Sequence, residues 1–130
     1  MRVVDASLVV AALTDRTDRG WEALARLTEN SPHAPELVDV EALSALRGRV
    51  RGGHLPVARA RDAATDLPSL PIIRHRHTDL LPRIWALRDN LTAYDAAYVA
   101  LAELLGIPLL TLDRKWAGVP ELGCEVEVLA

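Results

Sequence analysis

Several residue types are scarce in this chain of 130 residues, and each absence excludes a class of protein. Phenylalanine is absent, and the only cysteine is Cys124, which excludes an internal disulfide and a zinc site built from cysteines. No apolar run is long enough to span a membrane. The apolar start, residues 1–13, is interrupted by Asp5 and predicts a strand and a helix rather than a signal peptide. We therefore expect a cytoplasmic protein.

Charge of either sign is not in large excess, and the net charge of −3 does not by itself indicate a nucleic-acid partner. The distribution of charge is uneven, because residues 47–88 carry nine arginines and three aspartates between two acidic segments. Of the 15 basic residues 14 are arginines, whose planar guanidinium suits phosphate groups. An ordinary solvated surface has the same composition, so the basic segment alone decides little.

Short apolar segments alternate with helical segments along the whole chain and predict one domain, residues 1–130. Strands are predicted at residues 2–5, 72–74, 107–112 and 125–129, and the last alternates like a half-exposed edge strand. Helices are predicted at residues 6–13, 19–29, 36–51, 56–66, 79–87 and 93–105, and residues 30–35, with two prolines, predict a loop. This order predicts an α/β fold, a three-layer α/β/α sandwich with a mainly parallel sheet.

The most apolar helical segment, residues 93–105, carries only two charged side chains, Asp95 and Glu103. A helix that is apolar on nearly every side belongs in a protein core, where a carboxylate is unfavourable unless something satisfies it. The simplest explanation is a capping box, in which the Asp95 carboxylate bonds to the backbone of Thr92. A cap and a functional site are compatible, so the rest of the chain has to decide between them.

Three further carboxylates stand in comparable contexts. Asp5 and Asp113 each follow an apolar strand, and Glu41 lies on a helix face of small apolar residues. Each has a simpler explanation, because either aspartate suits a helix cap or a polar turn and Glu41 suits a solvated helix position. However, the C-terminal ends of parallel strands meet at one edge of a sheet, where binding sites form.

Together the four carboxylates predict a cation among them, because gathered carboxylates repel one another and would otherwise take up protons. We expect no lysine or arginine to supply that charge, since none lies within the apolar strand and helix segments. Mg²⁺ or Mn²⁺ fits carboxylate oxygens and water, and such ions activate water for attack on a phosphodiester. The pattern indicates metal-dependent phosphoryl chemistry and does not name the substrate.

Four stretches of the chain resemble a PIN-domain ribonuclease and, more narrowly, the VapC-type toxins of bacterial toxin–antitoxin pairs. They are residues 3–7 (VVDAS), the helix that carries Glu41, residues 91–102 (LTAYDAAYVALA) and residues 109–115 (LLTLDRK). The resemblance covers almost the whole chain and implies a Mg²⁺- or Mn²⁺-dependent endoribonuclease that hydrolyses RNA. Its implied metal ligands, which would also be its catalytic residues, are Asp5, Glu41, Asp95 and Asp113.

The resemblance also implies supporting residues and partners. The family often places a hydroxyl near the metal, for which Ser7 and Thr92 are the candidates, and both also suit plain helix caps. A VapB-type antitoxin and a homodimer are implied as well. Within the arginine-rich segment we expect RNA phosphate contacts from three residues on the helix predicted at 36–51, namely Arg47, Arg49 and Arg51.

Two other functions stay open at this point. A HAD-like phosphatase also has an aspartate after its first strand, but its chemistry needs a second aspartate two residues later, where this chain has Ser7. A non-enzymatic binding module would use the same acidic cluster to accept an arginine of a partner protein. Cleavage of RNA by the isolated protein distinguishes the nuclease from the binding module.

Overall fold

The computed structural model describes residues 1–120 and 122–129, and a five-stranded sheet forms its centre. The strand order is β3-β2-β1-β4-β5, and each pair of neighbours is parallel. The strands are β1 (Val3–Val4), β2 (His33–Pro35), β3 (Ile73–His75), β4 (Leu109–Thr111) and β5 (Val126–Val128). The helices are α1 (Ala6–Thr14), α2 (Asp18–Glu29), α3 (Leu37–Arg51), α4 (Val57–Asp66), α5 (Leu81–Ala86) and α6 (Ala93–Leu105).

The helices form two groups, and the sheet lies between them. Helix α1 packs on α2, α3 and α4, whereas α6 packs on α5 and on the three strands β1, β2 and β4. This arrangement is the predicted three-layer α/β/α sandwich, and the predicted parallel sheet is confirmed. No helix in the described part of the chain is both long and apolar enough to cross a membrane.

Strand β1 is the middle strand of the sheet, and its register sets the position of the residues that follow it. Val3 and Val4 are buried, as expected for a central parallel strand covered on both faces. Val4 is paired with Leu110 of β4, so the chain continues to Asp5 on one strand beside Thr111 on the other. The C-terminal ends of β1 and β4 therefore lie side by side.

Helix α6 is the buried helix that the sequence predicts. Residues 96–102 are all buried, and the helix ends at Gly106, whose φ of 67° is a left-handed conformation that favours glycine. At the other end, Thr92 Oγ1 accepts a hydrogen bond of 3.1 Å from the backbone N–H of Asp95. Thr92 is thus the N-cap, and Asp95 lies in the first turn of the helix.

The prediction of a loop at residues 30–35 is wrong, because this segment contains strand β2. Pro32 and Pro35 lack a backbone N–H and argued against a strand, but they flank its centre rather than interrupt its hydrogen bonds. The N–H of His33 donates to the backbone carbonyl of Arg2 at 2.9 Å, and the N–H of Glu36, just beyond the strand, donates to the backbone carbonyl of His75 at 2.8 Å. The strand is fully buried between β1 and β3, a position that only the tertiary structure defines.

Candidate active site

The Asp5 carboxylate is the most buried member of the acidic cluster, with 6% of the residue exposed. Asp5 is the N-cap of α1, and its Oδ1 accepts hydrogen bonds from the N–H of Leu8 at 3.3 Å and from Ser7 Oγ at 2.6 Å. Its Oδ2 accepts a hydrogen bond from Thr111 Oγ1 at 2.5 Å. Burial raises the pKa of Asp5 although these hydrogen bonds oppose the shift. The helix cap that the sequence offered as the simpler explanation is confirmed, and the same carboxylate belongs to the acidic edge of the sheet.

Two hydroxyl groups join the ends of β1 and β4. Ser7 Oγ, besides donating to Asp5, accepts a hydrogen bond of 3.1 Å from the N–H of Leu112. Thr111 Oγ1 accepts one of 3.0 Å from the N–H of Asp113. The network holds Asp5 and the Asp113 backbone in a defined relation, so Ser7 contacts the site directly, whereas Thr92 acts as the cap of α6.

Glu41 reaches the cluster from α3 and is held by a tyrosine of α6. Tyr98, whose side chain is almost fully buried, donates a hydrogen bond of 2.6 Å from its hydroxyl to Glu41 Oε1. Burial and the nearby charges of Asp95 and Asp5 raise the pKa of Glu41, and the bond from Tyr98 acts in the opposite direction. Glu41 is therefore joined to α6, the helix that carries Asp95, by the hydrogen bond from Tyr98.

Asp95 and Asp113 are linked through a lysine. Lys115 Nζ lies 3.0 Å from Asp95 Oδ2 and 3.5 Å from Asp113 Oδ2. Burial acts to lower the pKa of Lys115, but the hydrogen bond to Asp95 and the two negative charges outweigh it and raise that pKa. The expectation that no lysine or arginine supplies positive charge to the cluster is therefore wrong.

Lys115 was missed because it lies in a turn, outside the apolar segments that the sequence argument considered. Asp113 caps this short 3-10 turn, Arg114–Gly118, by accepting a hydrogen bond of 2.9 Å from the N–H of Lys115. Trp116, next in the chain, is 2% exposed and anchors the turn to the core. The turn directs the ammonium of Lys115 back to Asp95.

The donor set consists of carboxylate oxygens, which suits a hard divalent cation better than a soft one. The ammonium of Lys115 already offsets part of the negative charge of the cluster. As the side chains stand, no group of three or more His, Cys, Asp or Glu residues among residues 1–120 and 122–129 is arranged to hold an ion. For the four carboxylates to share an ion, their side chains would have to rearrange and the ammonium of Lys115 would have to move away from Asp95 and Asp113.

The predicted phosphate contacts on α3 do not all face the same way. Arg49 is half-buried and donates a hydrogen bond of 2.9 Å to Thr14 Oγ1. Arg47 and Arg51 are exposed, and as residues four apart they share a helix face that Arg49 does not. Their contact with RNA stays a prediction.

Sequence reasoning did not single out three residues that contact the cluster: Tyr98, Thr111 and Lys115. A signal was present for two of them. Tyr98 is three residues after Asp95 and so lies on the same side of the helix, and Thr111 is the one polar residue in an apolar strand. Nothing in the local pattern distinguished Lys115 from a solvated turn residue.

The fold and the acidic edge of the sheet define the class of protein, and the sequence model of the PIN domain matches residues 2–122. The chain belongs to the PIN-domain family. The HAD-like phosphatase considered from the sequence is excluded by this membership.

Individual proteins of this family are similar to the chain along most of its length. Ribonuclease VapC3 of Mycobacterium tuberculosis is 44% identical over 115 residues, which cover 88% of this chain and 84% of that protein. Ribonuclease VapC1 of the same organism is 41% identical over 128 residues, covering 98% of this chain and 96% of the relative. The crystal structure of PAE2754 from Pyrobaculum aerophilum is similar with a TM-score of 0.68 at 25% identity, and covers 97% of this chain and 92% of that one. The resemblance to VapC-type PIN-domain ribonucleases is confirmed.

Proposed function

We propose that the chain is a metal-dependent endoribonuclease that hydrolyses RNA phosphodiester bonds at the cluster of Asp5, Glu41, Asp95 and Asp113, as the toxin of a toxin–antitoxin pair. The observation that carries the proposal is that Asp95 and Asp113 share the ammonium of Lys115. Asp5 follows the neighbouring strand β1, and Glu41 is held by the hydroxyl of Tyr98, a residue of α6. So much negative charge at one edge of a sheet requires cations, and a phosphodiester substrate brings a further negative charge.

The four carboxylates would hold Mg²⁺ or Mn²⁺, directly or through water. When bound, such an ion supplies a water of lowered pKa and neutralises the charge that develops on the phosphate. The residues of the chain prepare the site for this chemistry. Hydrogen bonds from Ser7 and Thr111 orient Asp5, and the Tyr98 hydroxyl fixes one oxygen of Glu41.

The partners follow from the family and from the surface. We assign a VapB-type antitoxin as the inhibitory partner, because the relatives are VapC ribonucleases, and we place both proteins in the cytoplasm. A homodimer is also part of the proposal. Large apolar side chains that are exposed in the single chain would be covered by these contacts, among them Trp21, Val40, Leu43, Leu81 and Trp85.

The proposal is tested by incubating purified protein with total cellular RNA in Mg²⁺ or Mn²⁺ and then in EDTA. The Asp95→Asn variant should cleave roughly 10²–10³-fold more slowly, and its fold should persist because the cap bond uses the backbone N–H of residue 95. Asp62→Asn is the matched control, since Asp62 is an exposed aspartate of α4, a helix that carries none of the four carboxylates. Full cleavage by Asp95→Asn, or cleavage in EDTA, would disprove the assignment.

A second function is favoured by one observation, the contact of Lys115 with Asp95 and Asp113. The cluster accepts a cationic side chain in this structure, so an arginine of a partner protein could bind there in place of Lys115. Such binding is compatible with inhibition of a nuclease and with a binding module that has no activity of its own. A purified protein that binds its partner and cleaves no RNA with either metal would support the binding module.

A further inference from the structure

A polar groove of about 490 Å³ opens beside the acidic cluster, on the side of α1 and α2. Its lining includes Ser7 and Asp113, which belong to the cluster or contact it directly. It also includes three arginines from separate parts of the chain: Arg19, Arg49 and Arg114. The groove is therefore continuous with the candidate active site and differs from it in the sign of its charge.

The three arginines have positions that suit an anionic ligand. Arg49 is half-buried, and one nitrogen of its guanidinium donates to Thr14 Oγ1, which orients the side chain and leaves other donors. Arg19 is exposed and makes one long hydrogen bond of 3.4 Å to the carbonyl of Leu112. Arg114 is also exposed. Guanidinium groups bind phosphate oxygens with paired N–H donors, so each arginine has unused capacity for such contacts.

The groove contains one further carboxylate, Asp15, which does not cancel this charge. Its Oδ1 accepts hydrogen bonds from the N–H of Thr17 at 2.8 Å and from Thr17 Oγ1 at 2.6 Å. Those bonds come first among the causes that lower the pKa of Asp15, and Arg19 and Arg49 add to the effect. Three arginines line the groove together with this single carboxylate, apart from Asp113 at the boundary with the cluster.

We propose that this groove binds phosphates of the RNA strand that neighbour the phosphate being cleaved, with Arg19 and Arg114 as the accessible contacts and Arg49 as the oriented one. The inference rests on the proposed function and names the path of its substrate. An RNA strand carries a negative charge at every phosphate and is repelled by the carboxylate cluster, so cations beside the cluster lower the free energy of binding. The groove meets this requirement where the strand enters or leaves the site.

This path differs from the sequence expectation in two of its three contacts. Arg19 and Arg114 were not predicted, because they lie outside the arginine-rich segment 47–88 and are brought to the site by α2 and by the turn after β4. Arg47 and Arg51 do not line the groove. The experiment therefore tests Arg19 and Arg114.

The test measures binding of a short, unstructured, fluorescently labelled single-stranded RNA by anisotropy at a series of salt concentrations. Asp95→Asn protein is used throughout so that the probe stays intact. The double variant Arg19→Gln/Arg114→Gln should bind more weakly, and its plot of log affinity against log salt should be shallower by about 1.4, since each lost phosphate contact of a single strand removes roughly 0.7. Arg19→Lys/Arg114→Lys should retain most of the slope.

Arg61→Gln is the matched control, because Arg61 is an exposed arginine of α4 that does not line the groove. It removes one charge and should leave the slope nearly unchanged. A double variant that behaves like Arg61→Gln would overturn the inference. Thermal unfolding of each variant by circular dichroism shows that a change in binding is not a loss of fold.

Cleavage assays with proteins that retain Asp95 separate this inference from the proposed function. If the protein cleaves RNA with metal and the double variant cleaves and binds as well as the unmodified protein, the groove has no role and the nuclease assignment stands. If the salt slope changes as expected but the unmodified protein cleaves nothing, the groove binds RNA and the nuclease assignment falls.

Discussion

The hydrogen bond between Tyr98 and Glu41 leads to the most specific prediction. Tyr98→Phe removes only the hydroxyl, and the ring, which is 1% exposed, keeps its packing. The lost hydrogen bond is short, 2.6 Å, and its acceptor is a carboxylate, so the loss should cost about 1.5–3 kcal/mol of interaction free energy. Glu41 is half-exposed, and water can replace the hydroxyl in part, which favours the lower end of that range. We therefore expect cleavage to slow by roughly tenfold.

The pH dependence of Tyr98→Phe distinguishes a positioning role from general damage. Burial and the charges of Asp95 and Asp5 already raise the pKa of Glu41, and the bond from Tyr98 counteracts them. Without that bond the pKa of Glu41 rises further, so the ionised form is lost at a higher pH than in the unmodified protein. The acidic limb of the pH–rate profile should move to higher pH, and the loss of rate should be largest on that side.

The assay is cleavage of a labelled RNA with Mn²⁺ across a pH series, with urea unfolding to compare stability. Tyr94→Phe is the matched control, because Tyr94 is the only other tyrosine, lies on the same helix and is exposed. Equal rates and equal acidic limbs for Tyr98→Phe and the unmodified protein would refute the argument that Tyr98 orients a functional Glu41. A large loss of stability would instead assign Tyr98 to the core alone.

Two further predictions concern the charge of the cluster. Lys115→Met should tighten Mn²⁺ binding roughly fivefold, because two unit charges about 4 Å apart interact by about 1 kcal/mol in water and the side chain of Lys115 is half-exposed. A titration followed by electron paramagnetic resonance measures the Mn²⁺ affinity, and unchanged or weaker binding would contradict the placement of Lys115. In EDTA, the pKa of Asp5 should make the free energy of unfolding depend on pH, because the folded state binds the proton of the Asp5 carboxyl group more tightly than the unfolded state does. The free energy of unfolding should fall as the pH rises above 3.8, the ordinary pKa of this group, and through its raised pKa in the folded state. Asp5→Asn should remove this part of the slope in urea unfolding across a pH series, and an unchanged slope would refute the assignment to Asp5.

Much of the fold was predictable because its signals are local. The alternation of short apolar segments with helices indicated a parallel α/β sheet, and β1, α6 and β5 have the predicted character of a central strand, a buried helix and an edge strand. Strand β2 was not predictable in this way. Its prolines suggest a loop, and its strand conformation depends on the parallel neighbours β1 and β3, which are distant in the sequence.

In the candidate site, too, some features follow from local sequence and others only from the tertiary structure. The sequence by itself determined which carboxylates are exceptional, because Asp5 and Asp113 end apolar strands and Asp95 begins an apolar helix. Only the tertiary structure decided what surrounds them: the lysine that offsets their charge, the tyrosine that holds Glu41 and the arginines of the neighbouring groove. The physical reason is that burial and strand ends leave a pattern in nearby residues, whereas hydrogen bonds and charge pairs depend on distances that the folded chain sets.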